Sequence, residues 1–143
     1  MSKHDKYVIE TKNLTKQYGA QKSVANLNIH VRKGRIYGLL GRNGAGKTTT
    51  MKMLLGLTKP TSGEVRIWGE ALGDNEKKLL PRIGSLIESP GFYPNLTATE
   101  NLRIFATLRG VPNRNAIRNA LDLVGLPYKD KKLFSQYSLG MKQ

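Results

Sequence analysis

The residue types best suited to chemistry in this sequence form a short glycine-rich stretch that fits the phosphate-binding pattern G-x-x-x-x-G-K-[ST]. Its members, in order, are Gly41, Arg42, Asn43, Gly44, Ala45, Gly46, Lys47 and Thr48. Because glycine lacks a Cβ, the backbone at its glycines can wrap closely around a phosphate group. Successive N–H groups then point inward and form a concave site for an anion. The stretch therefore predicts a phosphate-binding loop.

The side chains that follow the last glycine have expected roles at such a loop. Lys47 should reach the β- and γ-phosphates of a nucleotide as a point charge, and Thr48 should offer its hydroxyl to Mg²⁺. Thr49 can reach an inner phosphate. A helix that begins near Lys47 would add the positive end of its dipole. The alternative interpretation is a glycine-rich turn that precedes a Lys-Thr helix and binds nothing.

The elements around the loop favour phosphate binding. Residues 35–40, which are mostly apolar after Arg35, predict a short buried strand, and residues 47–57 have apolar side chains at helical spacing. A strand, a glycine loop and a helix in this order are the context in which the pattern binds phosphate. Similar reasoning predicts further strands at 7–11, 25–31, 64–69 and 83–87, and a breaker-rich loop at 88–94.

The remaining periodic segments predict helices and one half-buried strand. The apolar residues that should share the buried face of the strand at 25–31 are Ala25, Leu27, Ile29 and Val31. The polar residues 70–82 predict one helical turn. Thr97 and Glu100 form a capping box that begins a helix, and Asn113 caps a second helix. The apolar stripe of that second helix is Ile117, Ala120, Leu121 and Val124. Strands and helices together predict an α/β fold.

Composition and charge limit the kinds of function that fit. The 143 residues include no cysteine, which excludes disulfides and thiolate metal sites, and no apolar run reaches the length of a membrane span. The N-terminus lacks an apolar signal core, so we expect a cytoplasmic protein. The formal charge of +14 favours a nucleotide, a nucleic acid or an acidic lipid surface as partner, or is simply a solvated basic surface.

Several other motifs occur in a fixed order around the phosphate loop. They are Tyr18 ahead of it, residues 56–65 after it, residues 83–88, residues 93–102 and the segment Tyr137-Ser138-Leu139-Gly140-Met141. In this order they resemble the motifs of the ATP-binding subunit of ABC transporters, and the resemblance covers nearly the whole chain. Residues 41–48 then correspond to the Walker A loop, residues 83–88 lead into the Q-loop, and residues 137–141 align with the signature motif L-S-G-G-Q.

Two positions depart from the usual pattern of that family. Glu88 stands where the Q-loop has a glutamine, and in the signature Leu139 replaces a glycine and Met141 the glutamine. Both features are similar to the bacitracin-export and lantibiotic-immunity branch of the family, which indicates a transporter for antimicrobial-peptide resistance. The alternative is drift in another exporter branch. The carboxylate of Glu88 suits Mg²⁺ as a hard oxygen ligand, so nucleotide binding should depend more strongly on Mg²⁺ than with a glutamine. The alternative is that Glu88 is a solvated loop residue.

The resemblance implies a P-loop NTPase of ABC type, with a nucleotide-binding core and antiparallel β subdomain at 1–95 and the start of an α-helical subdomain at 96–143. It implies ATP and Mg²⁺ as cofactors. Tyr18 would stack on adenine, Thr48 and Glu88 would serve the metal, and Ser138 and Gly140 would contact the γ-phosphate held by a second subunit. The family's Walker B strand and catalytic glutamate have no counterpart in 1–143, so the catalytic residue is unknown, and we expect an N-terminal part of a longer ATPase.

The implied partners are a membrane-spanning permease subunit and a second ATP-binding subunit packed head to tail, at the inner face of the cell membrane and without nucleic acid. Three functions stay open. The first is the ATPase of an exporter, the second is a non-transport ABC ATPase that acts on nucleic acid or ribosomes, and the third is a non-catalytic ATP-binding module. Without the family's later strands we also expect marginal stability or self-association.

Overall fold

The computed structural model describes residues 7–88, 91–110 and 113–142. The chain divides into two compact units, Met1–Ser85 and Leu86–Gln143, and each is described here by itself. The predicted domain boundary between residues 95 and 96 stays a prediction. The predictions for the N-terminal residues 1–6, for residues 89 and 90 within the loop, and for Gln143 lie outside the described residues.

The first unit is organised by one antiparallel sheet around a long central strand. The strands are β1 (Tyr7–Tyr18), β2 (Gln21–Leu27), β3 (His30–Arg32), β4 (Ser62–Ile67) and β5 (Glu70–Ala71). The order is β2-β1-β4-β5, and β3 also pairs with β1. The expected first strand at 7–11 is therefore confirmed and continues to Tyr18. The expected strand at 64–69 is confirmed as β4, with Val65 and Ile67 buried on one face.

Two helices complete the first unit. Helix α1 spans Lys47–Leu54 and helix α2 spans Leu72–Leu79, followed by a 3₁₀ turn at Leu80–Arg82. Helix α1 begins where the sequence predicted but ends before residue 57, and α2 is longer than the single predicted turn. The hydrophobic core joins both helices to the sheet. Its buried members are Leu14, Val24, Met53, Val65, Ile67, Leu72 and Leu79.

The predicted strand at 25–31 is split into β2 and β3, and one residue of its predicted buried face, Ala25, is exposed. Asn13 of β1 and Asn26 of β2 both have a positive φ, 49° and 48°, and β1 and β2 are irregularly paired there. Asn26 N–H donates to Thr15 Oγ1 at 3.0 Å instead of continuing a regular ladder. Val24 is therefore buried in place of Ala25, whereas Ile29 is buried as predicted and Leu27 and Val31 are half-buried.

The predicted strands at 35–40 and 83–87 were wrong as secondary structure. Within the described residues neither segment pairs with a strand. Ile36 and Leu40 are almost fully exposed, and Leu86 is exposed. A strand is stabilised by ladder hydrogen bonds and cross-strand contacts, so an apolar sequence without a neighbouring strand does not form one.

The second unit is helical. Helix α3 spans Ala98–Leu108, α4 spans Arg114–Leu123 and α5 spans Leu139–Lys142, with a 3₁₀ turn at Phe134–Gln136. The capping box is confirmed, since Glu100 N–H donates to Thr97 Oγ1 at 3.3 Å and Thr97 N–H donates to Glu100 Oε2 at 2.8 Å. The cap of α4 is also confirmed, because Asn115 N–H donates to Asn113 Oδ1 at 2.8 Å.

The core of the second unit differs in part from the predicted apolar stripe. Its buried residues are Ala98, Ile117, Leu121, Phe134 and Tyr137. Ala120 and Val124, which the stripe included, are exposed. Among the described residues, no helix is long and apolar enough to cross a membrane.

Candidate functional site

The glycine loop leads directly into helix α1 and packs against strand β2. Gly46 is the residue before the helix and has a left-handed conformation, with φ 85°. A Cβ at this position would lie 2.2 Å from the carbonyl oxygen of Ser23 and 2.9 Å from Val24 Cγ2. No other residue fits such an approach without a backbone shift. The contact with β2 therefore requires the last glycine of the pattern and fixes where the loop lies on the sheet.

Hydrogen bonds within the loop hold its start to its end. Ala45 N–H donates to the carbonyl of Arg42 at 3.1 Å. The ammonium of Lys47 folds back over the loop and donates to the carbonyls of Gly41 at 2.6 Å and Arg42 at 2.8 Å. Lys47 is half-buried, whereas Arg42 and Asn43 are exposed. The lysine thus lies across the mouth of the loop, where its charge faces any anion that enters.

The beginning of helix α1 suits an anion. No side chain caps its N-terminus, and no acidic residue lies in its first turn. The helix dipole therefore presents uncompensated N–H groups and partial positive charge at this end. The Thr50 hydroxyl donates to the Gly46 carbonyl at 2.9 Å, and Met53 is buried in the core. The helix is therefore anchored to the core of the first unit. Thr48 is exposed and Thr49 is half-buried in this first turn.

Tyr18 lies on the same hairpin that contacts the loop. It ends β1 opposite Gln21 of β2, and Ser23 and Val24 of β2 are the residues against Gly46. The Tyr18 side chain is 50% exposed, which leaves ring surface available for a flat ligand. The structure therefore brings the hairpin of the predicted base-stacking residue and the phosphate loop together in one unit.

The other predicted site residues lie in the second unit. Ser138 precedes α5, and its Oγ accepts a hydrogen bond from Met141 N–H at 3.4 Å, so the expected helix cap forms. Ser138 and Gly140 are exposed, and Leu139 begins the helix without a positive φ. Glu88 is exposed and has a positive φ of 63°. The nucleotide and metal roles of these residues stay predictions.

The metal role of Thr48 stays a prediction as well. Over residues 7–88, 91–110 and 113–142, no group of three His, Cys, Asp or Glu side chains could hold a metal ion. Mg²⁺ differs from Zn²⁺ in this respect, because it keeps waters and takes only one or two protein ligands beside substrate phosphates. Thr48, which is exposed in the first turn of α1, could supply one such ligand for Mg²⁺.

Sequence reasoning missed one residue of this region, Lys16. Its ammonium lies 5.0 Å from the centroid of the Tyr18 ring and donates to the carbonyl of Lys59 at 2.7 Å. The only available signal was its position on the same strand, two residues before the tyrosine. A lysine among 24 basic residues gives no reason to select it.

The geometry defines a nucleotide-binding protein of the P-loop class, and comparisons with known proteins define the family. The profile of the ABC transporter family matches residues 24–143. The chain belongs to this family, whose ATP-binding subunits are ATPases. The predicted α/β fold of ABC type is confirmed. One structural relative is the ATP-binding cassette MJ0796, solved as a dimer in a post-hydrolysis state with ADP and Pi. It is 25% identical, has a TM-score of 0.73, and the match covers 94% of this chain and 64% of that one.

Two curated relatives are transport ATP-binding proteins. The bacitracin transport ATP-binding protein BcrA of Bacillus licheniformis is 60% identical over 136 residues, which are 95% of this chain and 44% of BcrA. The lantibiotic transport ATP-binding protein SrtF of Streptococcus pyogenes is 41% identical, with coverage of 95% of this chain and 58% of SrtF. The chain thus spans about half the length of these relatives. The likeness to the bacitracin and lantibiotic branch, predicted from the motifs, is confirmed.

Proposed function

We propose that this chain supplies the nucleotide-binding site of an ABC ATPase that powers an exporter of antimicrobial peptides. The observation that carries the proposal is the glycine loop, which lies on β2, opens onto the uncapped end of α1 and is crossed by Lys47. The printed names of BcrA and SrtF, bacitracin and lantibiotic transport proteins, support the class of cargo.

ATP binding follows from the chemistry of the loop. The N–H groups at the start of α1 would receive phosphate oxygens, and Lys47 would exchange its hydrogen bonds to the Gly41 and Arg42 carbonyls for the β- and γ-phosphates. Tyr18 would stack on the adenine. Thr48, together with Glu88, would ligate Mg²⁺, which supplies charge neutralisation at the phosphates. The residues proposed here bind and orient the nucleotide.

The partners we propose are a second ATP-binding subunit and a membrane permease. A head-to-tail dimer would place Ser138 and Gly140 at the nucleotide of the other subunit, and the dimeric state of MJ0796 supports such an arrangement. Attachment to a permease would hold the ATPase at the inner face of the membrane. The names of BcrA and SrtF as transport proteins support this part of the proposal.

The test is the melting temperature of the 143-residue chain with and without MgATP. Nucleotide that binds only the folded state raises the Tm by mass action. We expect MgATP to raise the Tm of the wild type and to leave the Tm of Lys47→Ala unchanged. The control is Lys77→Ala, which removes an exposed lysine of α2 and whose Tm MgATP should also raise. The same rise in Lys47→Ala would reject the loop as the binding site.

The formal charge of +14 favours one second candidate, a non-transport ABC ATPase that binds nucleic acid. Such a protein would bind RNA or DNA with an affinity that falls steeply with salt, because binding releases condensed counterions. Titration of a labelled RNA duplex at two salt concentrations separates the candidates. The exporter proposal expects weak binding that disappears at physiological salt.

A further inference from the structure

A lysine occupies one side of the tyrosine ring beside the nucleotide loop. The ammonium of Lys16 lies 5.0 Å from the Tyr18 ring centroid, within the range of a cation–π contact. It also donates to the carbonyl of Lys59 at 2.7 Å. The Tyr18 ring and the Lys59 carbonyl therefore both contact the Lys16 ammonium. Lys16 is half-buried.

The segment that carries the Lys59 carbonyl is hydrogen-bonded to strand β1 two residues further on, at Thr61. The segment at 55–61 follows the phosphate-binding helix α1, and Thr61 N–H donates to the Thr15 carbonyl at 2.8 Å. Gln17 N–H donates to Thr61 Oγ1 at 3.0 Å. These bonds lie on both sides of Lys16 in strand β1. The segment that accepts the ammonium is therefore attached to the same strand that carries Lys16 and Tyr18.

Lys16 also stands next to the residues that carry the loop. In the register of β1 and β2 it lies opposite Val24, and Val24 is one of the two residues against Gly46. Lys16 is thus close to the Tyr18 ring, bonded to the segment that leaves α1, and paired in the sheet with a residue that contacts the phosphate loop.

We propose that Lys16 is a positioning residue for Tyr18. The lysine covers one face of the tyrosine ring and leaves the other face for a purine base. This inference rests on the proposed stacking of adenine on Tyr18. A ring that is held before the ligand arrives loses less conformational freedom on binding, so the lysine should raise affinity for nucleotides that carry a base. It should not affect binding of the phosphates themselves.

Lys22 offers a matched control. It is an exposed lysine of the same hairpin, opposite Gln17 in the register, and it carries the same charge. Lys16→Met keeps the apolar length of the side chain and removes the ammonium, and Lys16→Arg keeps the cation.

The first measurement needs no nucleotide. In the wild-type chain with ¹³C-labelled lysine, the ε-methylene protons of Lys16 should resonate upfield of those of Lys22 because of the Tyr18 ring current, and Tyr18→Leu should abolish the difference. Equal shifts in the wild type would show that the contact is absent in solution and would overturn the inference, even if Lys16→Met fails to fold.

The second measurement is affinity for ATP and for inorganic tripolyphosphate. We expect Lys16→Met to weaken the binding of ATP about two- to fivefold, which corresponds to the loss of a partly exposed cation–π contact. The affinity for tripolyphosphate should be unchanged. Lys16→Arg should restore ATP affinity, and Lys22→Met should change neither. In a Tyr18→Leu background Lys16→Met should have no further effect.

The outcomes separate this inference from the proposed function. Equal weakening of ATP and tripolyphosphate by Lys16→Met would make Lys16 a general surface charge and overturn the inference. Loss of ATP affinity in Tyr18→Leu but not in Lys16→Met would overturn it while the stacking of adenine survives. Unchanged ATP affinity in Tyr18→Leu would overturn both.

Discussion

Strand β1 and the segment at 35–40 both contain apolar residues typical of strands, but only β1 forms one. β1 pairs with β2 and β3 along one edge and with β4 along the other. The segment at 35–40 pairs with none of the described strands, and Ile36 and Leu40 point into solvent. The difference teaches that an apolar stretch becomes a strand only where a partner edge is available, whatever its own propensity.

The largest expected effect separates the two regions directly. Leu14 of β1 is fully buried in the core, so Leu14→Ala should lower the free energy of unfolding by about 2–5 kcal/mol. Ile36→Ala removes side-chain atoms that already contact water and should change it by less than about 0.5 kcal/mol. Urea unfolding of both variants measures this. Similar losses would mean that residues 35–40 are packed in solution, and the comparison would fail.

The phosphate loop follows the unpaired segment, yet its shape depends on β2. Gly46→Ala should cost about 2–4 kcal/mol, because it adds a left-handed backbone penalty and an overlap with the Ser23 carbonyl. The control is Gly73→Ala in α2, where a Cβ meets nothing within 4 Å and the alanine favours the helix. Thermal melts should show a large loss for the first variant and none for the second. If both variants melt like the wild type, the loop does not rest on β2.

The capping box of α3 tests whether local sequence suffices where no partner strand is needed. Thr97→Ala removes the acceptor of the Glu100 N–H and should cost about 1 kcal/mol. Thr107→Ala, in the last turn of the same helix, removes a hydroxyl that donates to the Arg103 carbonyl and should cost clearly less. Urea unfolding of the two variants provides the measurement, and a larger loss for Thr107→Ala would argue against the cap.

The smallest expected effect is a pH dependence at the same cap. Hydrogen bonds from the Thr97 backbone and side chain lower the pKa of Glu100 below its ordinary value. A lowered pKa means that the stabilisation is present above the pKa of the unfolded state and is lost as the pH falls through the folded pKa. The Tm of the wild type should therefore fall in acid more than that of Glu100→Gln. Parallel curves for the two proteins would contradict the prediction.

The accuracy of the sequence-based predictions follows the range of the interactions involved. The phosphate-binding pattern and the caps at Thr97 and Asn113 involve residues within a few positions of one another, so the sequence was sufficient to predict them. Where the loop lies on the sheet depends on the distant strand β2. Ala25 was mispredicted as buried because β1 and β2 are irregularly paired near Asn13 and Asn26, which both have a positive φ. The segments at 35–40 and 83–87 failed because their outcome depends on strands elsewhere.

The candidate site shows the same division. The roles of Lys47 and the loop were predicted from a motif, and the role of Tyr18 was predicted from a family resemblance. The contact between Lys16 and Tyr18 depends on the carbonyl of Lys59, far along the chain, which no local pattern reports. Long-range contacts of this kind become visible only once the sheet has brought the segments together.

The exposed apolar side chains at 35–40 have a consequence for the behaviour of the chain in concentrated solution. They expose apolar surface through which two molecules can associate, while the charge of +14 keeps molecules apart. Salt shortens the reach of this repulsion to about 8 Å at physiological strength but leaves apolar attraction intact. The colloidal stability of the protein is therefore set by ionic strength, and light scattering should rise with added salt long before the fold itself is lost.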